Sequence, residues 1–169
     1  MNTLLRALRL LSIVIWVGGL IFFAFVEAPT AFDVMGTNRQ FALLIEVSIT
    51  ALNRLGYLCG FVFFLATVAT RYRQGCRSRL LTAQMLLVLL MMAATDYVQA
   101  SIIPAMERDR AAVGGDITAV PAGNPSRIDF DRLHALSEKV EGSALFLGLG
   151  VVLLMAAEPA SERNTRGFA

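Results

Sequence analysis

Glu27, Arg54, Asp96 and Glu141 each close one end of an uncharged stretch. The stretches are residues 10–26, 55–70, 80–95 and 142–157, with lengths of 17, 16, 16 and 16. If successive stretches run in opposite directions, all four ionisable groups fall at one depth. Three acids and one base at that depth leave an excess of two negative charges. In a low-dielectric setting such an excess is costly, so a carboxyl is protonated or a cation neutralises it. The chemistry implied is binding of a cation or a proton. A plainer alternative has Glu27 and Glu141 reaching solvated headgroups while Arg54 pairs with Asp96.

His134, the only histidine, has Asp131 and Glu138 one helical turn away on either side. Metal ligand, haem axial ligand and proton relay are its three functional roles; the bland role is a histidine hydrogen-bonded inside a bundle. A di-iron centre needs two Glu-x-x-His motifs, and Asp131-x-x-His134 supplies neither. One histidine excludes bis-histidine haem within one chain, leaving a His/Met pair with Met92 or Met106. Met85, Met91 and Met92 suit apolar packing better than copper(I), since adjacent Met91 and Met92 face different directions. No cofactor is assigned, and haem or copper at His134 stays as an alternative. Without a Ser/His/Asp order, a nucleophile elbow or a phosphate loop, no catalytic residue is assigned either; the reading favours binding over an enzyme.

The elements that must position these groups are helices. The chain of 169 residues is 56% hydrophobic with a mean hydropathy of +0.63. A soluble domain is about 45–50% apolar, and the surplus here is concentrated in the four stretches. Slightly extended, each fits a membrane span of about 20 residues. The expected fold is all-α: one antiparallel four-helix transmembrane bundle over 1–158, with helices at about 7–28, 42–70, 79–106 and 130–157 and a polar tail at 159–169. Arg6 and Arg9 precede a run longer than a signal-peptide core, so that run is read as a retained first helix.

Arg6, Arg9, Arg71, Arg73, Arg77, Arg79, Arg163 and Arg166 gather on one side, with only Glu158 and Glu162 opposing them. The positive-inside rule then places both termini and the 71–79 loop in the cytoplasm of a bacterial cell, with the tail cytoplasmic too. A net charge of +2 without a basic patch on a folded face gives no nucleic-acid footprint. Cys59 and Cys76 lie too far apart along a helix for a disulfide.

Polar stripes extend the outer helix ends. Glu46, Thr50, Asn53 and Tyr57 share one face, Met92, Asp96 and Gln99 a second, and Asp131, His134, Glu138 and Glu141 a third. In lipid such stripes face the bundle interior or a water-filled cavity. The bundle is therefore expected to be dry in its cytoplasmic two-thirds and polar in its outer third. An outer loop over residues 107–131, rich in Gly and Pro at its centre, is expected to be a tether or a lid. Gly18, Gly19, Gly56, Gly60, Gly142, Gly148 and Gly150 allow close helix approach. Leucine at Gly18 or Gly19 is expected to disturb that packing.

Trp16-Val17-Gly18-Gly19, then Phe22-Phe23-Ala24-Phe25, Pro29 and Phe32 open an ordered set of motifs. Pro104 and Arg110 follow, then Phe130, Leu133, His134 and Ser137, then Leu145, Leu147 and Gly148. In this order the chain resembles the four-helix membrane family typified by transmembrane protein 205, whose bacterial relatives form a domain of unknown function. The resemblance covers most of the chain. It implies a four-helix integral membrane protein and no established catalytic activity, with an amide rather than an acid at the position of Glu141. A looser likeness at Trp16-Val17-Gly18-Gly19 is to copper-resistance and haem-pathway membrane proteins, which use more than one histidine or a lysine in the helices.

Three functions follow as expectations. The leading one is a cytoplasmic-membrane protein that binds or transports a small solute or cation in an outward-facing pocket of Glu27, Arg54, Asp96, His134, Glu138 and Glu141. The second is a redox or metal protein using His134. The third is a structural subunit with a membrane partner or a second copy of itself. In all three the lipid bilayer is a partner.

Overall fold

The computed structural model describes residues 3–36, 39–74 and 78–158, and among these there is no strand. Cys76, Arg77 and the tail at 159–169 lie outside the described residues. Four helical stretches, Thr3–Met35, Arg39–Arg73, Arg79–Ala112 and Pro125–Ala156, are long and apolar enough to cross a membrane. The first comprises α1 (Thr3–Phe22), a π-helical turn (Phe23–Glu27) and α2 (Ala28–Met35). The second is α3 (Arg39–Gln74). The third comprises α4 (Arg79–Tyr97), a second π turn (Val98–Ile102) and α5 (Ile103–Ala112). The fourth is α6 (Pro125–Ala156).

The two π turns have one cause. Pro29 and Pro104 each follow two residues after such a turn. A proline inside a helix clashes with the carbonyl four residues earlier, here at Phe25 and Ala100. Both carbonyls lie within π turns, where Ala28 N–H bonds to Phe23 O and Ile103 N–H to Val98 O. The wider turn makes room for the ring without ending the helix.

The helices run further than the apolar stretches. The connection expected over residues 107–131 is correspondingly shorter, because α5 continues to Ala112 and α6 starts at Pro125. Charged residues such as Glu107, Arg108 and Arg110 are good helix formers once a helix is under way. Asn124 caps α6 by accepting from Ser126 N–H at 2.9 Å, and Pro125 needs no N–H partner in the first turn. Between the helices, Gly114 and Gly115 take positive φ to turn the chain. A short 3-10 turn, Ile117–Ala119, then buries Ile117. Asp116 caps it, and the Thr118 hydroxyl and amide hold its carboxyl below the usual carboxylate range.

The spans close into a ring. α4 packs on α6 and α1 on α3, with lighter packing of α3 on α4 and α1 on α6. The core holds Ile13, Trp16, Val17, Cys59, Phe63, Val88, Met91 and Val151. Most other large apolar side chains face outward, Phe25, Leu58, Phe61, Phe146 and Leu153 among them. An apolar interior combined with an apolar exterior is what a lipid-embedded helix requires.

Glycines set the closeness of the packing. The Gly56-x-x-x-Gly60 surface of α3 seats the Trp16 ring: a Cβ at Gly56 would lie 2.5 Å from Trp16 Nε1, and one at Gly60 3.0 Å from Trp16 Cζ3. Gly148 of α6 seats Val17 and Met91 in the same way. Gly18 and Gly142 meet nothing within 4 Å. The packing role expected of the Gly18-Gly19 pair therefore rests on Gly19, whose Cβ would lie 2.6 Å from Leu52 Cδ1.

Candidate functional site

The interior carries polar groups at three levels. At one end, Arg9 is fully buried and bonds to Gln84 and Glu158, with its guanidinium 5.6 Å from the Phe63 ring centroid. Gln84 Nε2 also donates to Glu158 Oε1 at 2.9 Å. This end was expected to be dry. The correction has a simple cause: Gln84 stands inside the uncharged run of α4 and Glu158 closes the run of α6, so both reach Arg9 within the ring.

At the far end, Arg110 pairs with Glu46 at 3.0 Å and with Glu107, and lies 5.4 Å from the Phe130 ring centroid. One guanidinium thereby joins α3, α5 and α6. A lysine keeps the charge but loses the planar fork and its stacking. Arg110→Lys is expected to cost about 1–2 kcal/mol, read as a lowered thermal unfolding midpoint. The same change in a Phe130→Leu background should cost less, because the ring contact is already gone.

Between these levels lies the group with the most chemical potential. Asn53, at 1% exposure, donates from Nδ2 to Gln99 Oε1 at 3.3 Å and to Glu141 Oε1 at 3.4 Å. It thereby links α3 across the ring to α6, as well as to the third span. Thr95, also at 1%, lies one turn from Gln99 on the buried face of α4. Trp16 turns its pyrrole edge to Gly56, one turn from Asn53, and its benzo edge to Gly60. Four buried atoms of these side chains, Trp16 Nε1, Asn53 Oδ1, Thr95 Oγ1 and Glu141 Oε2, have no hydrogen-bond partner, and neither has Arg9 Nε at the opposite end. An unpaired buried polar atom costs about 1–3 kcal/mol. Buried polar groups of this kind are normally satisfied by an ordered water, an ion or a bound solute.

The six residues expected to line one pocket are distributed differently. Glu141 is half-buried in the cluster just described. Asp96 is exposed and accepts from Tyr57 Oη at 3.1 Å. Arg54 is exposed, and among the described residues no ion pair joins it to Asp96. His134 has 54% of its side chain exposed, lies 3.5 Å from Glu138 and stacks on Phe130 at 6.2 Å between centroids. Ser137 bonds to its carbonyl at 2.7 Å. Glu27 stands eight residues beyond Gly19, which meets Leu52 next to Asn53. That is a rise of about 12 Å, which places Glu27 nearer the level of Glu46 than that of Glu141. A shallow groove between the third and fourth spans, lined by Tyr97, Leu133, Leu136 and Lys139, contains none of the six. Among the described residues no three His, Cys, Asp or Glu side chains gather to hold a metal ion.

Sequence reasoning placed Asn53 and Gln99 on polar stripes but did not single them out, and it passed over Thr95, Gln84 and Arg9. A usable signal was present: Gln84 is the one amide inside the four uncharged runs.

Residues 11–112 match the sequence model of a family described as a domain of unknown function (DUF4149). No curated protein and no solved structure gives a significant match.

Proposed function

We infer that this chain, which belongs to the DUF4149 family, is a multi-pass protein of the bacterial cytoplasmic membrane that takes a small solute or cation into its interior polar cluster. The observation that carries this reading is the set of unpartnered buried atoms around Asn53, Thr95 and Glu141. An antiparallel bundle is supported by the contacts. Trp16 meets Gly56 and Gly60 while Gly19 meets Leu52; Gln84 meets Glu158 while Gln99 reaches Glu141 through Asn53. In each pair of spans, one residue number rises as its partner's falls. With Arg6, Arg9, Arg71, Arg73 and Arg79 at the Arg9 end, the positive-inside rule puts both termini in the cytoplasm and opens the Asn53 level to the outside. Exposed Arg54, Asp96, His134 and Glu138 then stand along the approach.

The Arg9 and Glu141 levels are separated on the fourth span by the seventeen residues from Glu141 to Glu158, about 25 Å of helix. That nearly equals a hydrocarbon core of about 30 Å, so the cluster sits at the outer edge of the dry zone, where a solute enters without crossing it.

Thiol labelling tests the access route. With Cys59 and Cys76 changed to serine, Gln99→Cys in intact cells is expected to react with a small membrane-impermeant methanethiosulfonate, whereas Val88→Cys is not. Protection of both cysteines, in protein shown to be folded, would remove the outward-facing site.

A further inference from the structure

Resting on that interior site, we propose that its ligand is a monovalent cation held by Asn53 Oδ1, Thr95 Oγ1 and the Glu141 carboxylate. These oxygens come from three different spans. The inventory of free atoms includes the oxygens a cation needs. Three of the four unpartnered atoms at this level are oxygens able to accept, and Trp16 Nε1 is the single obligate donor.

The hydroxyls make the same point. Ser12, Thr67 and Thr70, all buried, turn theirs back to the carbonyl four residues earlier, each at 2.7 Å. This is the default for a hydroxyl in an apolar helix, because it satisfies the proton locally. Thr95 is buried to the same degree and does not do so. At Asn53, Nδ2 holds Gln99 and Glu141, and the carbonyl oxygen is left over.

Charge then selects the valence. Glu141 takes part in none of the ion pairs among the described residues. One carboxylate in a low-dielectric interior is neutralised by one positive charge, whereas a divalent ion leaves a net charge behind. Calcium sites recruit several carboxylates, and transition-metal sites gather His or Cys. Neither ligand set is assembled among the described residues. Carbonyl, hydroxyl and a single carboxylate form the hard, singly charged set that suits sodium or potassium.

Trp16, the only tryptophan in the chain, reports on the site, so the full-length protein in lipid nanodiscs can be titrated by fluorescence. Sodium chloride and potassium chloride are compared with choline chloride at constant ionic strength and pH 7. The expected result is a saturable change with sodium or potassium and none with choline. Glu141→Gln should abolish it. Thr95→Val keeps the side-chain shape, and with one oxygen lost it should raise the midpoint about tenfold. Equal traces in all three salts, with a pH transition that disappears in Glu141→Gln, would mean that a proton fills the site. That outcome overturns the cation while leaving the interior site in place. Traces that ignore salt, pH and Glu141→Gln alike overturn the cation and leave a small solute as the occupant of the interior site, which the thiol labelling of Gln99→Cys tests separately.

Discussion

Glu158→Ala is expected to lower the stability of the folded bundle by about 3–5 kcal/mol. Arg9 has no exposed surface, and the side chain of Glu158 retains only 10%. Gln84 bonds to both and can neutralise neither. Removing the carboxylate therefore strands a guanidinium in an apolar ring, over Phe63, with one amide for company. The cost is that of an uncompensated buried charge and says little about the net worth of the pair. For that reason the double change Arg9→Met with Glu158→Leu is expected to cost less than Glu158→Ala alone. Apolar residues of similar volume replace a charged pair without leaving either partner unmatched. Equilibrium unfolding in mixed micelles with increasing dodecyl sulfate gives both values. A double variant less stable than the single one would show that Arg9 and Glu158 contribute more as a pair than their desolvation takes away.

Arg9 also shows where sequence reasoning reaches its limit. By charge it reads as a flank of the first span, and the four apolar runs, with their order and flanking arginines, are legible because composition alone determines them. Its partners are not legible, since Gln84 and Glu158 lie 75 and 149 positions away. The candidate site divides in the same way. Spacing places Asn53, Gln99 and Glu141 on polar faces, and a polar face in an apolar bundle turns inward for a physical reason. Spacing also puts His134 and Glu138 on the stripe of Glu141, yet of these three only Glu141 is drawn into the interior, where Asn53 bonds to it. The shared depth of Glu27 with the other three groups assumed that each uncharged run starts at one level. The Gly19–Leu52 and Trp16–Gly56 contacts set the level instead, and they depend on side-chain fit that no run length encodes. The π turns left a trace in Pro29 and Pro104, but proline alone reads equally well as a helix end.

Two glycines 38 positions apart, Gly18 and Gly56, are expected to respond to alanine with opposite sign. Both occupy helix interiors, where alanine is intrinsically better by about 0.5–1 kcal/mol. At Gly18 nothing lies within 4 Å of an added Cβ. Gly18→Ala should therefore stabilise by about that amount, and even Gly18→Leu should stay within about 0.5 kcal/mol of the parent. At Gly56 the added Cβ meets Trp16 Nε1 at 2.5 Å and Cε2 at 2.7 Å. Those atoms belong to a rigid ring packed at 1% exposure, and it has no flexible end to swing aside. Gly56→Ala is expected to destabilise by about 1–3 kcal/mol and to shift the Trp16 emission, because the indole must leave its seat. Gly19 lies between the two: its Cβ meets only the Leu52 Cδ1 terminus, which can rotate away. The order Gly18, Gly19, Gly56 in dodecyl-sulfate unfolding, with Trp16 emission moving only at the last, tests the packing of the first span on the second independently of any ligand. Equal losses at Gly18 and Gly56 would mean that both helix faces are covered, and would call for a second chain against the Gly18 side.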